Sequence, residues 1–507
     1  MEPKEVLSHG EEVFERWRKT TGLFLGPLVF FLLLFVPFPS LSVEAHRLLA
    51  VIGFVLVFWL TEAVPLPVTA LVGAVLSVLV GVAPAKVVLA PFAHPLVFLF
   101  IGSFILAEAI TCHGLDRRFS FAILSVRFLE RSPLRLLLAF GLISACTSMW
   151  ISNTAATAMM LPIGMGILRT MRDIGGESGV GRFRHNRYAT AMMLMIAYGA
   201  SVGGIATPIG TPPNLIGIGM IDTLAGVRIT FFEWMSFALP ITCVMFGYLF
   251  LLLGYFDRRT KGELSGVREY VERSRAGLGR WKMGEVNTAF AFGLAVSLWI
   301  LPSLVGLVAG KEHEAARFLS TRLNAGVVAL LAATLLFVLP VSVKDRSFTM
   351  TWKRAGRIDW GTILLFGGGL SLGRLMFSTG LAEALGHGLT GLSGATGLWS
   401  ITAVSIFFGI VLSETTSNTA SANMVIPVVI AVAQGMGVSP LPPALGACLG
   451  ASFGFMLPVS TPPNAIVYGS GMVPILTMVR KGILFDIGGF FIILFGLMVL
   501  CPLFGWV

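Results

Sequence analysis

Two short polar sequences each occur twice in the chain, always inside an apolar stretch. Ser-Asn-Thr-Ala occupies 152–155 and again 417–420, and Thr-Pro-Pro-Asn occupies 211–214 and 461–464. The hydroxyl and amide groups of the first sequence can donate hydrogen bonds to carboxylate oxygens, while its hydroxyl and carbonyl oxygens can face a small hard cation. The same residues therefore suit an anion and a cation at one place.

The Thr-Pro-Pro-Asn sequences predict breaks in helices. A pair of prolines stops a helix and removes backbone donors. Thr followed by Pro is also a favourable helix start, so we expect a new half-helix to begin at Thr211 and another at Thr461. A helix N-terminus inside a bilayer is expected to carry unpaired N–H groups and partial positive charge, which attract an anion.

Polar residues in membrane helices also have a purely structural explanation. Ser, Thr and Asn side chains join neighbouring helices by hydrogen bonds, and Pro residues bend many membrane spans. One such motif alone fits either explanation, but two motifs that each recur in the same order favour a binding site.

The composition predicts that membrane helices hold these motifs. Of the 507 residues, 55% are hydrophobic and 12% are charged, and the mean hydropathy is +0.86. These values exclude a water-soluble globule. The long apolar stretches favour helices over a barrel, because the strands of a barrel would alternate apolar and polar residues. The excess of Lys and Arg (36) over Asp and Glu (26) lies mostly in short loops, which indicates the positive-inside rule rather than nucleic acid binding.

Basic residues beside the apolar runs predict an all-α polytopic protein of the cell inner (plasma) membrane with a cytoplasmic N-terminus. The stretch 136–168 is flanked by arginines at both ends and would be about 50 Å long as one helix, so we expect a re-entrant hairpin from the cytoplasm. A second hairpin, 399–433, is expected to enter from outside. About eleven spans are predicted, near 22–39, 47–64, 66–83, 94–112, 189–220, 232–256, 286–308, 323–342, 360–379, 443–470 and 483–505.

The recurrence of the motifs, and of Phe-x-Gly at Phe100 and Phe366, indicates a duplication whose copies are inverted in this topology. Inverted repeats with broken helices are typical of secondary transporters, with the site at the repeat interface. The predicted regions are a cytoplasmic N-terminus (1–20), N-terminal scaffold helices (21–93), the first repeat (94–256), a cytoplasmic basic loop that touches membrane lipids (257–285), scaffold helices of the second repeat (286–358) and the rest of that repeat (359–507).

With the sequence Trp59-Leu-Thr-Glu-Ala63, these motifs make the chain similar to the divalent anion:sodium symporter family, which transports C4-dicarboxylates, citrate and sulfate. The resemblance runs from about residue 20 to the end and implies a homodimer whose transport domain moves as an elevator against a scaffold. It implies substrate contacts at Ser152, Asn153, Thr154, Thr211, Pro212, Ser417, Asn418, Thr419, Thr461 and Pro462. It implies one sodium site at Ser148, Ser152, Asn153 and Gly210, and a second at Ser413, Thr416, Asn418 and Ser460.

Sodium-coupled transport of a small divalent anion is the leading hypothesis. The four motifs contain no Lys, Arg or His, and helix N-termini supply only part of the charge that a dianion needs, so sodium ions are expected to enter with it. A sodium-independent anion exchanger of the same fold is the alternative. An enzyme is not expected, because the chain has no His-Glu-x-x-His sequence, paired intramembrane Asp residues or Ser–His dyad.

Two ionisable residues occupy equivalent positions of the copies, Glu108 in the first and Arg374 in the second. Ionisable residues inside spans usually face protein or water and find partners. We therefore expect either an ion pair between them or two separately solvated groups, ahead of a role in gating.

Overall fold

The computed structural model describes residues 9–126, 132–174, 187–254, 265–310, 312–386 and 397–507. Most of these residues are helical. The first half contains α1 (His9–Phe35), α2 (Val43–Thr61), α3 (Leu66–Leu79), α4 (Ala85–Leu89), α5 (Pro95–His113), α6 (Leu115–Leu124), α7 (Pro133–Ser148), α8 (Asn153–Ile174), α9 (Arg187–Gly204), α10 (Pro212–Met220) and α11 (Phe231–Gly254). The second half contains α12 (Ser265–Gly277), α13 (Met283–Ala309), α14 (Glu314–Arg322), α15 (Ala325–Val338), a ribbon of β1 (Pro340–Ser342) and β2 (Ser347–Phe348), α16 (Trp352–Ala355), α17 (Trp360–Ser378), α18 (Leu398–Thr415), α19 (Asn418–Gly435), α20 (Leu441–Gly450), α21 (Pro462–Tyr468) and α22 (Ile475–Leu503).

The predicted fold class, a helical polytopic membrane protein, is confirmed. Within the described ranges, eight helices are long and apolar enough to cross a membrane, or nine if α14 and α15, which meet at 59°, form one span. Two of the other predicted spans, 66–83 and 443–470, overlap the shorter apolar helices α3 and α20. The total of eleven therefore stays a prediction.

The two predicted hairpins are pairs of helices with short non-helical tips. Residues 149–152 separate α7 from α8, and residues 416–417 separate α18 from α19. Both pairs extend beyond the predicted stretches 136–168 and 399–433. The side of the membrane from which each one enters remains a prediction.

The two predicted broken spans are interrupted over longer segments than the sequence suggests. Helix α9 ends at Gly204 and α10 begins at Pro212, while α20 ends at Gly450 and α21 begins at Pro462. The prolines mark where each new helix begins, but the preceding helix has ended several residues earlier. Each break is therefore a stretch of several residues of irregular backbone rather than a kink.

The sequence Trp59-Leu-Thr-Glu-Ala63 ends α2 and joins it to α1. Glu62 adopts a left-handed conformation with φ of 48°, which stops the helix. Its carboxylate accepts a hydrogen bond of 3.0 Å from Arg18 of α1, and Trp59 Nε1 donates to Leu66 O across the turn. The first three helices are thereby connected at one end.

Small residues let the helices that frame the site approach closely. Helices α1 to α4 form one apolar cluster with a face of α17, and α5 packs against α15 in the larger cluster. A methyl group placed on Gly102 of α5 would lie 2.5–2.7 Å from atoms of Ala329 in α15. Such close approach of backbones is typical of membrane helix interfaces.

The contact at Gly102 gives a prediction for stability. Gly102→Ala should destabilise the protein by about 1–3 kcal/mol, because α5 and α15 must move apart to accept the methyl group. The control is Gly293→Ala in α13, where no heavy atom lies within 4 Å of the added methyl group. Thermal unfolding in detergent should show a lower midpoint for Gly102→Ala alone; equal midpoints for the two variants would refute the packing argument.

Candidate functional site

Both copies of both motifs line one cavity of about 430 Å³. All ten residues that the resemblance assigns to the substrate are on its wall. They are Ser152, Asn153 and Thr154 with Thr211 and Pro212 from the first copy, and Ser417, Asn418 and Thr419 with Thr461 and Pro462 from the second. The structure therefore brings together residues that lie up to about 300 positions apart in the chain.

The two hairpin tips have the same local hydrogen bonds. Ser152 Oγ accepts from Ala155 N at 3.2 Å, and Ser417 Oγ accepts from Ala420 N at 3.2 Å, so each serine caps the helix after it. The asparagine that follows each serine accepts, through Oδ1, from a hydroxyl five residues before it. These bonds are Ser148 Oγ to Asn153 Oδ1 at 2.6 Å and Ser413 Oγ to Asn418 Oδ1 at 2.7 Å.

These bonds orient the asparagine side chains. Ser148 and Ser413 are fully buried and fix the oxygen end of each amide. The NH₂ end of each side chain is then available as a donor, while Asn153 and Asn418 both line the cavity. In each tip the asparagine Oδ1 therefore accepts a hydrogen bond from the same tip, and the asparagine NH₂ group can donate to an anion.

The half-helices begin at Thr211 and Thr461 as the sequence predicts, but their first backbone groups are paired differently. Thr211 and Thr461 stand at the N-cap positions in extended conformation, but neither hydroxyl makes a capping bond. The first two helical positions are prolines, and the next amides, Asn214 N and Asn464 N, bond to the threonine carbonyls at 3.2 and 3.0 Å. The expectation of several unpaired N–H groups at these starts is wrong, because proline has none and the next one is paired.

Two asparagines that sequence reasoning did not select hold the irregular backbone of the breaks. Asn214 Nδ2 lies within 3.2 Å of the carbonyl oxygens of Gly204, Ile205 and Thr207, and Asn214 is fully buried. Asn464, also fully buried, bonds the second break in the same way, as Nδ2 lies 2.9 Å from Gly454 O and 3.0 Å from Leu457 O. Their place at the end of a repeated motif was the signal that could have identified them.

Oxygen atoms converge beside Asn153, while beside Asn418 one oxygen and two carbon atoms lie nearest. A methyl group on Gly204 would lie 2.4 Å from Asn153 Oδ1 and 3.1 Å from Gly210 O. In the second copy, a methyl group on Gly454 would lie 3.3 Å from Asn418 Oδ1 and 3.2 Å from Ser460 Cβ. Glycine is needed at both places because a side chain would fill a space that these groups surround. Hydroxyl, amide and carbonyl oxygens are the ligands that hard cations prefer.

The residues that the resemblance assigns to sodium lie at these two places, but the side chain of Thr416 does not face its place. Gly210 and Ser460 also line the cavity, while Ser148 and Ser413 are behind the tips. The hydroxyl of Thr416 is turned away, since it bonds to Leu412 O at 2.8 Å and to Ser421 Oγ at 3.0 Å. Only the backbone carbonyl of Thr416 is then free to face a cation.

Glu414 orients the loop of the second break, a role that its position near a helix break in the sequence also suggests. Its buried carboxylate accepts hydrogen bonds from Phe455 N, from Met456 N at 2.9 Å and from Ser460 Oγ at 2.7 Å. This side chain therefore ties the end of α18 to the second break. In the first copy Met149 occupies the equivalent position, and its carbonyl instead accepts from Thr207 Oγ1.

The two ionisable residues at equivalent positions of the copies do not pair. Glu108 lines the cavity on α5, and Arg374 is exposed on α17. The helices meet near Phe100 and Phe366, whose rings are 5.2 Å apart, and each charged residue lies eight positions further along its own helix. Within the described part of the chain no ion pair joins them. Of the two alternatives that the sequence left open, the ion pair is wrong and the two groups are separate.

The chain is similar to known membrane transporters over almost its whole length. The family described as "Sodium:sulfate symporter transmembrane region" matches residues 18–506. The sodium-dependent dicarboxylate transporter SdcS of Staphylococcus saprophyticus is 33% identical over 469 residues, covering 91% of this chain and 87% of that protein. SdcS of Staphylococcus aureus strain RF122 is 33% identical over 464 residues with the same coverage.

Two solved structures share the fold. The YdaH transporter of Alcanivorax borkumensis has a TM-score of 0.52 at 14% identity and covers 97% of this chain and 98% of its own. MtrF of Neisseria gonorrhoeae, described as one of a class of antimetabolite efflux pumps, has a TM-score of 0.52 at 13% identity and covers 97% and 95%. At this identity the similarity concerns the fold alone.

The geometry of the tips predicts the effect of replacing an amide by a carboxylate. Asn153→Asp and Asn418→Asp should each lower uptake of a divalent anion by more than about tenfold, because the donor is lost and a like charge is added. Uptake into proteoliposomes checks this. The control is Asn324→Asp, away from the cavity, where Asp caps α15 as well as Asn does. Near-normal uptake by both tip variants would remove these amides from the site.

Proposed function

Because this chain belongs to the sodium:sulfate symporter family, we propose that it is a secondary active transporter that carries a small dicarboxylate together with sodium ions. The observation that carries the proposal is the single cavity on which both copies of both motifs converge. The names of the SdcS relatives favour dicarboxylates within the wider class of divalent anions, which includes citrate and sulfate.

The tips and half-helix starts suit the two ends of a dianion. Each copy contributes an amide donor and threonine hydroxyls, such as those of Thr154 and Thr419, to the cavity wall. Helix starts at Pro212 and Pro462 add the partial positive charge of aligned peptide dipoles, although they offer few free N–H groups. This amount of positive charge is small for a dianion, so a cation should bind with it.

The two places beside Asn153 and Asn418 fit sodium. Their ligands are neutral oxygens, so each bound sodium would add a full positive charge next to the anion. The first would use Ser148, Asn153 and Gly210, with Ser152 held as the helix cap. The second would use Ser413, Asn418 and Ser460 with the carbonyl of Thr416, and Glu414 would hold that loop in place.

We propose alternating access by an elevator movement in a homodimer of the inner membrane. The cavity extends to one end of α5, where Glu108 and Thr111 line it. We propose that the path is closed toward the other end of α5, where a methyl group on Gly219 of α10 would lie within 3.2 Å of atoms of Phe366 and Leu96. A site that is open on one side alone supports alternating access rather than a channel.

Sodium dependence tests the proposal. Uptake of succinate into proteoliposomes should rise with sodium with a Hill slope above one, because two sodium ions order the tips before the anion binds. Ser148→Ala and Ser413→Ala should raise the sodium concentration for half-maximal uptake by about threefold or more, with a smaller change in the rate at saturating sodium. Equal uptake when choline replaces sodium on both sides would instead support the sodium-independent exchanger.

A further inference from the structure

Three charged residues line the cavity near its mouth, although the repeated motifs contain none. They are Glu108 on α5, and Arg357 and Asp359 in the turn between α16 and α17. Among the described residues that line the cavity, Arg357 is the one cation. A dianion that passes the mouth therefore meets two carboxylates and a single guanidinium group.

The guanidinium of Arg357 is exposed, and the described ion pairs do not include it. Asp359, two residues away, is engaged elsewhere as the cap of α17. Its Oδ1 accepts from Thr362 N at 3.1 Å, and its Oδ2 accepts from Thr362 Oγ1 at 2.5 Å. The carboxylate nearest in sequence is thus committed to a helix start, and Arg357 remains available to an anion in the cavity.

Arg354, in the short helix α16 just before this turn, provides a useful contrast. Its guanidinium contacts Cys112 Sγ on α5, and Arg354 is not part of the cavity wall. The two arginines are three residues apart and carry the same charge. They therefore differ mainly in whether the guanidinium faces the path of the anion.

We propose that Arg357 receives the dianion at the mouth of the cavity after it leaves the two tips, and so sets the affinity of that face of the transporter alone. A guanidinium can hold a carboxylate through two parallel hydrogen bonds, which a polar uncharged side chain cannot replace. The inference rests on the proposed function, because it needs a dianion that crosses this cavity.

The effect should be confined to one face because Arg357 belongs to helices that do not carry the tips. Helix α17, which follows it, packs closely on α3 on one face, where a methyl group on Gly368 would lie 2.6 Å from Ala70 Cβ, and on α19 on the next face, where a methyl group on Gly369 would overlap Asn423 Oδ1. The tips lie on α7 and α8 and on α18 and α19. When the tips move to open on the other face, Arg357 stays at the first face and no longer contributes.

Side-specific kinetics test this assignment. Succinate uptake at saturating sodium is measured in whole cells, which reports the outer face, and in inverted membrane vesicles, which reports the cytoplasmic face. The basic segment 344–357 is predicted to be cytoplasmic by the positive-inside rule, which places Arg357 at that face. Arg357→Gln should therefore raise KM about three- to tenfold in inverted vesicles and leave KM in cells unchanged. The KM of Arg357→Lys should stay within about twofold of the wild-type KM. The KM of Arg354→Gln, the matched control, should equal the wild-type KM at both faces.

A second variant reverses the sign of the effect. Asp359→Asn keeps the cap of α17, because Asn is as good a cap as Asp, but it removes a negative charge from the mouth. It should lower KM at the same face, by about twofold or more. If Arg357→Gln does not reach the membrane, this variant decides, and an unchanged KM would overturn the assignment.

The outcomes separate this inference from the proposed function. Wild-type protein without sodium-dependent succinate uptake would refute the proposed function. Normal wild-type uptake, with KM of Arg357→Gln unchanged at both faces or raised equally at both, would refute the role of Arg357 alone. A rise confined to one face, absent from Arg354→Gln, supports it.

Discussion

A helix that stops inside a membrane leaves backbone amide and carbonyl groups that lipid cannot satisfy. In this protein the buried amides of Asn214 and Asn464 bond to several carbonyl oxygens of the two breaks. The irregular backbone of each break is thereby held in place. Other oxygens, those of Asn153 and Gly210 in the first copy, come close enough to surround a small space beside Gly204. The cavity and both proposed cation places depend on this support.

The positive charge that a dianion needs is spread over several weak sources in this account. Half-helix dipoles contribute little, since prolines occupy the first two positions and the next amide is paired. Sodium then supplies full charges next to the tips, and Arg357 supplies one at the mouth. Because the tips themselves hold no fixed cation, the anion can leave once sodium dissociates. A permanent guanidinium between the tips would instead retain it.

The residues of the site could largely be located from the sequence, because each motif is local and each recurs. The helix starts at Pro212 and Pro462 follow from chain chemistry in the same way. Contacts between segments far apart in the chain could not be predicted from local sequence. Glu414 reaches a loop some 40 residues away, and Arg357 reaches a cavity built by other helices. Whether Glu108 pairs with Arg374 could not be decided from the sequence for the same reason, since equivalent positions in two copies need not be neighbours.

The central claim is that sodium orders the tips and thereby creates the anion site. Hydrogen–deuterium exchange of the purified protein, followed by mass spectrometry of segments 148–156 and 413–421, tests it most directly. Sodium alone should slow exchange in both segments, and succinate should slow it further only when sodium is present. If succinate slows exchange equally in choline, and sodium alone has no effect on either segment, the claim is contradicted.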